Sequence, residues 1–230
     1  MKRWFISDTH WNHENIIKFC RSHHFKDIYD MNETMIESWN KTVGDDDLIY
    51  HIGDICSPRT TDPSPIISRL KGNIILIKGN HDKKKLIRKM PSWTERMAIK
   101  LGNYKCLLNH KPGYPEWMRT ERLDPFNDND NNIDYNPWDF IISGHIHNNY
   151  CPDERGVPQG RLWTGKSLNL SVELHNYTPI SENELIELLK KRAKTYFEPY
   201  NVKRHVIVTA AGKTYGKDSI KERGPILPNR

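Results

Sequence analysis

The strongest constraint in this sequence is a pattern that occurs four times, in which a short apolar run leads directly into residues that commonly bind metal ions. The runs are residues 4–7 before Asp8 and His10, 48–52 before Asp54, 74–78 before Asn80, His81 and Asp82, and 140–142 before His145 and His147. Apolar runs of this length, bounded by turn residues, are typical of buried strands. In open α/β sheets, ligands bind at the carboxyl ends of the strands. The pattern therefore predicts an α/β protein with a metal site at one edge of a sheet.

The composition bounds the class of protein. The chain has 230 residues, of which 36% are hydrophobic and 28% are charged, which suits one globular domain with or without an appendage. No apolar run approaches the roughly 18 residues of a membrane helix, and the first residues lack the apolar core of a signal peptide. We therefore expect a cytoplasmic protein without a membrane partner. The four cysteines form no CxxC pair, which indicates reduced thiols rather than a zinc–thiolate site.

The positive charge of the chain is concentrated at its C-terminal end. Residues 201–230 carry seven basic and two acidic side chains, which is +5 of the total net charge of +6. We therefore divide the chain into a domain over residues 1–200 and a basic extension over residues 201–230. The extension could bind nucleic acid through its phosphates, but we favour a solvated tail or a segment docked on the body or on a neighbour. The sequence carries no signal for an oligomeric state.

Local patterns predict the remaining elements. Helices are expected over residues 12–21, from a capping box at residues 30–33, and from a second capping box at residues 181–184. Residues 96–101 and 104–109 should form a hairpin, with His110 directly after its second strand. Residues 111–138 are rich in turn formers, and we expect a long loop on the substrate side of the site. The lysine-rich stretch 83–89 indicates a solvated helix face, with phosphate steering as the alternative.

The ligand-type blocks, taken together, resemble a known family. In chain order they are Asp8-x-His10, Gly53-Asp54, Gly79-Asn80-His81-Asp82, His110 and Gly144-His145-x-His147. Their order, spacing and flanking strands resemble the calcineurin-like metallophosphoesterases. Residues 7–17 and 172–181 resemble a bacterial and bacteriophage branch of that family. The likeness extends over roughly residues 1–195, so the tail from residue 201 lies outside it.

The resemblance implies a fold and a cofactor. The fold would be a four-layer α-β-β-α sandwich with two mixed sheets. Two divalent metal ions would be bound, one by Asp8, His10, Asp54 and His147, and the other by Asp54, Asn80, His110 and His145. By the same resemblance, His81 would not be a ligand.

The residue types suit that arrangement independently. The two oxygens of one carboxylate allow Asp54 to bridge two cations about 3.5–4 Å apart. Imidazole and carboxylate ligands together favour borderline transition metals over Ca or Mg, and we expect Mn, with Fe, Ni or Zn as alternatives. Two divalent cations, two carboxylates and a bridging hydroxide leave a net positive centre, which suits an anionic phosphoryl group.

These features predict a dinuclear metal-dependent phosphoesterase that acts on phosphodiesters or nucleotide-like phosphate esters. A metal-activated hydroxide would attack phosphorus in line. His81, oriented by Asp82, would protonate the leaving group as general acid. A phosphomonoesterase, including one that acts on phosphoproteins, is the close alternative. A nuclease and a non-catalytic scaffold of the same fold are the weaker ones.

Two further histidines are assigned from their position. His51 lies inside an apolar strand, which indicates a hydrogen-bonded core histidine. His13 follows the proposed ligand His10 by three residues. Its side chain could face the substrate or lie on the protein surface at the start of a helix, and the sequence does not decide between these two placements.

Overall fold

The computed structural model describes residues 1–22, 24–112, 138–147, 162–164, 166–197, 207–208 and 214–215. The chain divides into two compact units, Met1–Leu189 and Lys190–Arg230. In the second unit, strand β11 (Ile207–Val208) pairs antiparallel with β12 (Thr214–Tyr215). Most of the predicted loop at residues 111–138 and most of the basic extension lie outside the described residues. The division near residue 200 stays a prediction.

The first sheet is built mainly from the strands that precede the N-terminal ligand blocks. Its strands are β1 (Arg3–Ile6), β2 (Leu48–His51), β3 (Asn73–Ile77), β4 (Trp93–Thr94) and β10 (Ile180–Ser181). They lie in the order β10-β1-β2-β3-β4. Strands β1 to β4 run parallel, and β10 pairs antiparallel with β1. The carboxyl ends of β1, β2 and β3 therefore share one edge.

The second sheet contains the predicted hairpin. Its strands are β5 (Arg96–Leu101), β6 (Tyr104–Asn109), β7 (Phe140–Ser143), β8 (Trp163–Thr164) and β9 (Ser167–Asn169), in the order β5-β6-β7-β9-β8. Strands β6, β7 and β9 are parallel, whereas β5 and β8 are antiparallel to their neighbours. Gly102 turns the hairpin with a φ of 57°, which a residue without Cβ adopts readily. Two mixed sheets confirm the predicted α/β fold class.

The helices flank these strands in the sequence. They are α1 (Glu14–Ile16), a π-helix (Ile17–Arg21), α2 (Ile28–Thr42), α3 (Ser64–Ile67), α4 (Lys84–Ile87), a 3₁₀ turn (Val172–Leu174) and α5 (Glu182–Phe197). Met31, Met35 and Trp39 of α2 belong to one buried hydrophobic cluster with Ile49 and Leu76 of the first sheet. In the described part of the chain, no helix is long and apolar enough to cross a membrane.

Of the two predicted capping boxes, one is present in the structure and the other is not. The box at residues 181–184 is confirmed, because Ser181 N donates to Glu184 Oε2 at 2.8 Å while Glu184 N donates to Ser181 Oγ at 3.2 Å. The box at residues 30–33 is wrong by three positions. Helix α2 is capped by Asp27, whose carboxylate accepts a hydrogen bond from Asp30 N at 2.8 Å. Asp30 therefore lies in the first turn, where its charge favours the helix dipole.

The two sheets meet at the ends of β1 and β9. Ser7 and Ser171 form a parallel bridge, and Ser7 N donates to Leu170 O at 3.1 Å. Leu170 N in turn donates to the carbonyl oxygen of Ser143, the last residue of β7, at 2.7 Å. Residues that follow β1, β7 and β9 are thereby brought to a common edge.

Candidate metal centre

The common edge carries a cluster of ionisable side chains, most of which are buried. Asp8 follows β1, Asp54 follows β2, His110 follows β6, and His145 follows β7. The exposed fraction is 0% for Asp8, 1% for Asp54 and 3% for His110. Carboxylates are rarely this buried unless they are paired or bind a metal. The predicted site therefore has the burial expected of a ligand cluster.

The backbone at these positions is unusual. φ is positive at Asp8 (57°), His10 (50°), Asp54 (56°), His145 (73°) and His147 (46°). Non-glycine residues adopt this left-handed region at a cost on the order of 1–3 kcal/mol each, and such conformations cluster at functional sites. All five are among the residues predicted to be metal ligands.

One ligand group consists of Asp8, His10 and His147. One potential ligand atom from each lies within 4.8 Å of the others. Asp8 Oδ1 is 4.0 Å from His10 Nε2 and 3.7 Å from His147 Nε2. The other carboxylate oxygen, Asp8 Oδ2, accepts from Ser171 Oγ at 3.0 Å and from His145 N at 2.9 Å. These bonds hold the carboxylate with Oδ1 towards the two imidazoles.

A second group consists of Asp54, His110 and His145, again within 4.8 Å of one another. His110 Nε2 lies 3.2 Å from Asp54 Oδ2 and 3.1 Å from Asn80 Oδ1, so Asn80 adds an amide oxygen to the group. Asp54 Oδ2 is also 3.7 Å from His10 Nε2 of the first group. The Asp54 carboxylate therefore lies between the two groups.

The arrangement of the imidazole nitrogens fits divalent cations. His10 Nε2 is buried and has no hydrogen-bond partner among the described residues. Burial, followed by the charge of His147, lowers the pKa of His10 well below its usual value, which favours the neutral ring that metal binding requires. His110 Nδ1 is 2.8 Å from Ile52 O, which leaves Nε2 facing Asp54. Imidazole nitrogens oriented in this way, together with carboxylates, suit borderline transition metals.

The carboxylates also attract positive charge strongly. Burial lowers the pKa of His110, but the hydrogen bond to Asp54 and the charges of Asp8 and Asp54 raise it overall to about 9. Burial likewise opposes protonation of His147, while the charges of Glu173 and Asp8 raise its pKa well above the usual value. Such a site takes up protons when no other cation is present.

The structure places Asp82 differently from the predicted orienting role. Its carboxylate is 1% exposed and accepts hydrogen bonds from three backbone N–H groups, those of Gly79 at 2.7 Å, Asp54 at 2.9 Å and Ile55 at 3.0 Å. These donors surround the carboxylate because the loops after β2 and β3 both converge on it. The His81 imidazole instead has Nε2 3.8 Å from Asp54 Oδ2, and its side chain is 36% exposed.

Two further histidines lie close to the proposed ligands. His51 is confirmed as a hydrogen-bonded core residue, with Nε2 2.8 Å from Thr9 Oγ1, and burial lowers its pKa to about 3. His13, for which two positions stayed open, lies beside the ligands, with its Nδ1 3.1 Å from His10 Nδ1. It also lines a polar pocket of about 360 Å³ together with Arg59 and Ser57.

Two buried residues at the site were missed. Glu173 lies in the stretch that resembles the family, yet neither its residue type nor its spacing predicts a role. Its Oε1 is 2.9 Å from His147 Nδ1 and 2.8 Å from Arg21 Nε. Arg21 lies in a segment predicted only as a helix. An arginine at the end of a short amphipathic segment ordinarily faces solvent, so no local signal could have found it.

Comparisons with known proteins agree with this description. The domain model of the calcineurin-like phosphoesterase superfamily matches residues 1–164. An uncharacterized protein of Methanocaldococcus jannaschii is 33% identical over 193 residues, which is 83% of this chain and 92% of that protein. The gene 66 protein of Mycobacterium phage L5 is 33% identical over a shorter segment of 82 residues, 34% of this chain and 39% of that protein.

A solved structure is similar as well. It is the crystal structure of a protein of unknown function from Aquifex aeolicus, with 30% identity and a TM-score of 0.58, and the match covers 81% of this chain and 98% of that one. Since the domain model spans residues 1–164, well over half of the sequence, this chain belongs to the calcineurin-like phosphoesterase superfamily.

Proposed function

We propose that this protein is a dinuclear metal-dependent phosphoesterase that hydrolyses phosphodiesters or nucleotide-like phosphate esters. The observation that supports it most directly is the pair of ligand groups on either side of the Asp54 carboxylate, whose Oδ2 lies 3.7 Å from His10 Nε2 and 3.2 Å from His110 Nε2. A bridging carboxylate between two open ligand sets is the arrangement used by two-metal hydrolases. Membership of a phosphoesterase superfamily supports hydrolysis as the reaction.

The proposed ligands divide between the two positions. Asp8, His10, Asp54 and His147 would hold one cation, and Asp54, Asn80, His110 and His145 would hold the other. Manganese is our first candidate, with Fe, Ni or Zn as alternatives, because imidazole and carboxylate ligands suit these ions. When bound, a cation pair supplies a strong nucleophile from water at neutral pH and neutralises the charge that develops on the phosphoryl oxygens.

His81 is the residue that we propose as general acid. Its side chain is 36% exposed, whereas that of His10 is 1% exposed, and the two rings are 5.3 Å apart. The imidazole therefore lies on the open side of the ligand groups, where a leaving group would depart. Its backbone is fixed, because His81 N donates to Asp54 Oδ1 at 2.7 Å. A positioned imidazole with an exposed nitrogen can serve as a general acid towards a leaving group within hydrogen-bond reach.

Asp82 anchors the loop that carries His81. Its carboxylate joins the loop after β2 to the loop after β3 through Asp54 N and Gly79 N. We therefore propose Asp82 as a positioning residue rather than a partner of the His81 ring. Loss of these hydrogen bonds would displace Asp54 and His81 together.

The lining of the pocket beside His13 is consistent with the small polar substrate that we propose. It has a volume of about 360 Å³, and Asn12, Asn15 and Arg59 are among its lining residues. Amide groups and a guanidinium can hydrogen-bond a sugar or a second phosphate. This chemistry fits a nucleotide-like ester better than an apolar one.

The test compares leaving groups in metal-loaded protein. The substrates are a diester with an alkoxide leaving group, a diester with a nitrophenolate leaving group, and a phosphomonoester. His81→Ala should lower kcat on the alkoxide diester by about 10²–10⁴-fold, the usual contribution of a general acid. The nitrophenolate diester should lose far less, because that leaving group departs without a proton. His24→Ala, which removes an exposed histidine, is the control.

Each outcome has a defined meaning. Unchanged turnover of the alkoxide diester by His81→Ala, with metal content retained, would remove His81 from the mechanism. Faster hydrolysis of the monoester by the unaltered protein would favour the phosphomonoesterase. No hydrolysis of any substrate after metal loading would favour the non-catalytic scaffold.

A further inference from the structure

A buried ion pair lies directly behind the first ligand group. It is formed by Arg21, which ends the π-helix, and Glu173, which lies in the 3₁₀ turn after β9. The Arg21 side chain is 0% exposed and that of Glu173 is 1% exposed. Burying an arginine and a carboxylate is costly even when they pair, and π-helical turns occur frequently at functional sites. Packing alone therefore does not explain why Arg21 and Glu173 are buried here.

Arg21 binds the backbone of the first ligand segment. Its Nη1 donates to Thr9 O at 2.9 Å and its Nη2 donates to Asp8 O at 2.5 Å. Thr9 lies between the proposed ligands Asp8 and His10, so the guanidinium spans the segment that supplies two ligands. Both carbonyls are buried acceptors that the charged donor satisfies.

Glu173 reaches the third ligand of the same group. Its Oε1 lies 2.9 Å from His147 Nδ1. A carboxylate paired with a guanidinium is ionised and can only accept hydrogen bonds. The proton of a neutral His147 ring must then be on Nδ1, which leaves the Nε2 lone pair facing Asp8 Oδ1 at 3.7 Å.

The geometry of the pair is not that of a simple structural salt bridge. Arg21 Nε and Nη2 both lie near the same oxygen, Glu173 Oε1, at 2.8 and 2.7 Å. Glu173 Oε2 is buried and has no hydrogen-bond partner in the described part of the chain. A parallel two-oxygen fork would satisfy both oxygens of the carboxylate. Here the carboxylate is oriented so that one oxygen, Oε1, contacts both Arg21 and His147.

A third metal position at this point is a poor alternative. Cys20, His147 and Glu173 do place potential ligand atoms within 4.8 Å of one another. The Arg21 guanidinium, however, already occupies Glu173 Oε1 at 2.7 Å. A divalent cation on either oxygen of this carboxylate would lie close to that fixed positive charge, which is strongly unfavourable in a buried site.

We propose that Glu173 is a positioning residue for the metal position formed by Asp8, His10 and His147, and that Arg21 couples it to the Asp8–His10 segment. Glu173 fixes the tautomer and the orientation of His147, while the guanidinium fixes the opposite side of the same position. This inference rests on the metal centre proposed above. Carboxylates behind a ligating histidine are worth about 10–100-fold in metal affinity.

The first experiment measures zinc affinity by competition with a chromophoric chelator. Glu173→Gln keeps the size of the side chain but removes the charge that holds the Nδ1 proton. It should bind one zinc ion about 10–100-fold more weakly than the unaltered protein, while the second ion is retained with unchanged affinity. Glu33→Gln is the matched control, because Glu33 forms an exposed pair with Arg69 at 2.6 and 2.8 Å, and it should leave both affinities unchanged.

The second experiment needs no substitution, which matters because Glu173→Gln leaves Arg21 without its partner. Long-range ¹H–¹⁵N spectra of the unaltered, zinc-loaded protein should show His147 protonated at Nδ1 and bound to zinc through Nε2. Zinc on Nδ1, or a proton on Nε2, would overturn the inference.

The two experiments separate this inference from the proposed function. Two zinc ions bound with equal affinity by the unaltered protein and by Glu173→Gln would refute the role of Glu173 and leave the dinuclear centre intact. An unaltered protein that binds no zinc would refute both.

Discussion

Gly144 offers a sharp test of how the ligands are packed. It separates β7 from His145, and a Cβ atom at this position would lie 1.9 Å from Ser7 Oγ and 2.1 Å from Asp8 Oδ2. Cβ atoms essentially never approach other atoms within 3.0 Å. In Gly144→Ala, Ser7 or Asp8 must therefore move by about an ångström, or the backbone of β7 must move away by as much.

Neither neighbour can move freely. Ser7 Oγ lies 2.6 Å from Ile52 O, and Asp8 Oδ2 accepts from Ser171 Oγ at 3.0 Å. Overpacking of a buried site costs about 1–3 kcal/mol, and a lost hydrogen bond to a charged group costs about 1.5–3 kcal/mol more. The free energy of unfolding of Gly144→Ala should therefore fall by roughly 2.5–6 kcal/mol. In a chain of this size that lowers Tm by about 5–24 °C.

The assay is denaturant unfolding of metal-free protein, followed by the fluorescence of the buried Trp11 and Trp39. The control is Gly44→Ala, whose Cβ would lie 3.4 Å from the nearest atom, Asp47 Oδ2. That variant should remain within about 1 kcal/mol of the unaltered protein. If Gly144→Ala unfolded at the same denaturant concentration as Gly44→Ala, the close approach of β7 to the Asp8 loop would be refuted.

Two further predictions concern the ligand split and acid stability. His147→Ala and His145→Ala should each empty a different metal position, measured as metal content per chain, and a variant that kept both metals would refute the split. Hydrogen bonds to Asp47 from Lys2 N, Trp4 Nε1 and Gly44 N lower its pKa from 3.8 to about 2, so the ionised form stabilises the folded state. Asp47→Asn should unfold at lower urea concentration at pH 7, and its difference from the unaltered protein should shrink as the pH falls from about 4 towards 2; a difference as large at pH 2 as at pH 7 would contradict this, and Asp46→Asn is the exposed control.

Much of the fold was predictable because its signals are local. The apolar runs before Asp8, Asp54 and His145 mark strands whose length and flanking turns leave little choice. The reciprocal hydrogen bonds of Ser181 and Glu184 need only a fixed spacing. The predicted start of α2 is wrong because its local signal is ambiguous. Asp27 and Asp30 both suit a cap, and packing of the helix decides between two locally equivalent positions.

The remaining features depend on contacts between distant segments. Asp82 was paired in prediction with its neighbour His81, yet its hydrogen bonds include Asp54 N and Ile55 N, 28 and 27 residues away. Glu173 meets Arg21 across 152 positions. The positive φ values of Asp8 and its fellow ligands run against local preference. The spacing of residues along the chain cannot predict these features, because they depend on contacts that form only in the tertiary structure.

The meeting of the two sheets has a consequence for the stability of the protein. In each proposed metal position, ligands from the first sheet face ligands from the second, and the Asp8 carboxylate already contacts a residue 137 positions away. A bound cation would thus act as a reversible cross-link, comparable to a disulfide that closes a very long loop. At a thousandfold excess over its dissociation constant it would add about 4 kcal/mol to the free energy of unfolding. In the proposed enzyme, the supply of metal would then affect the stability of the folded chain as well as the rate of turnover.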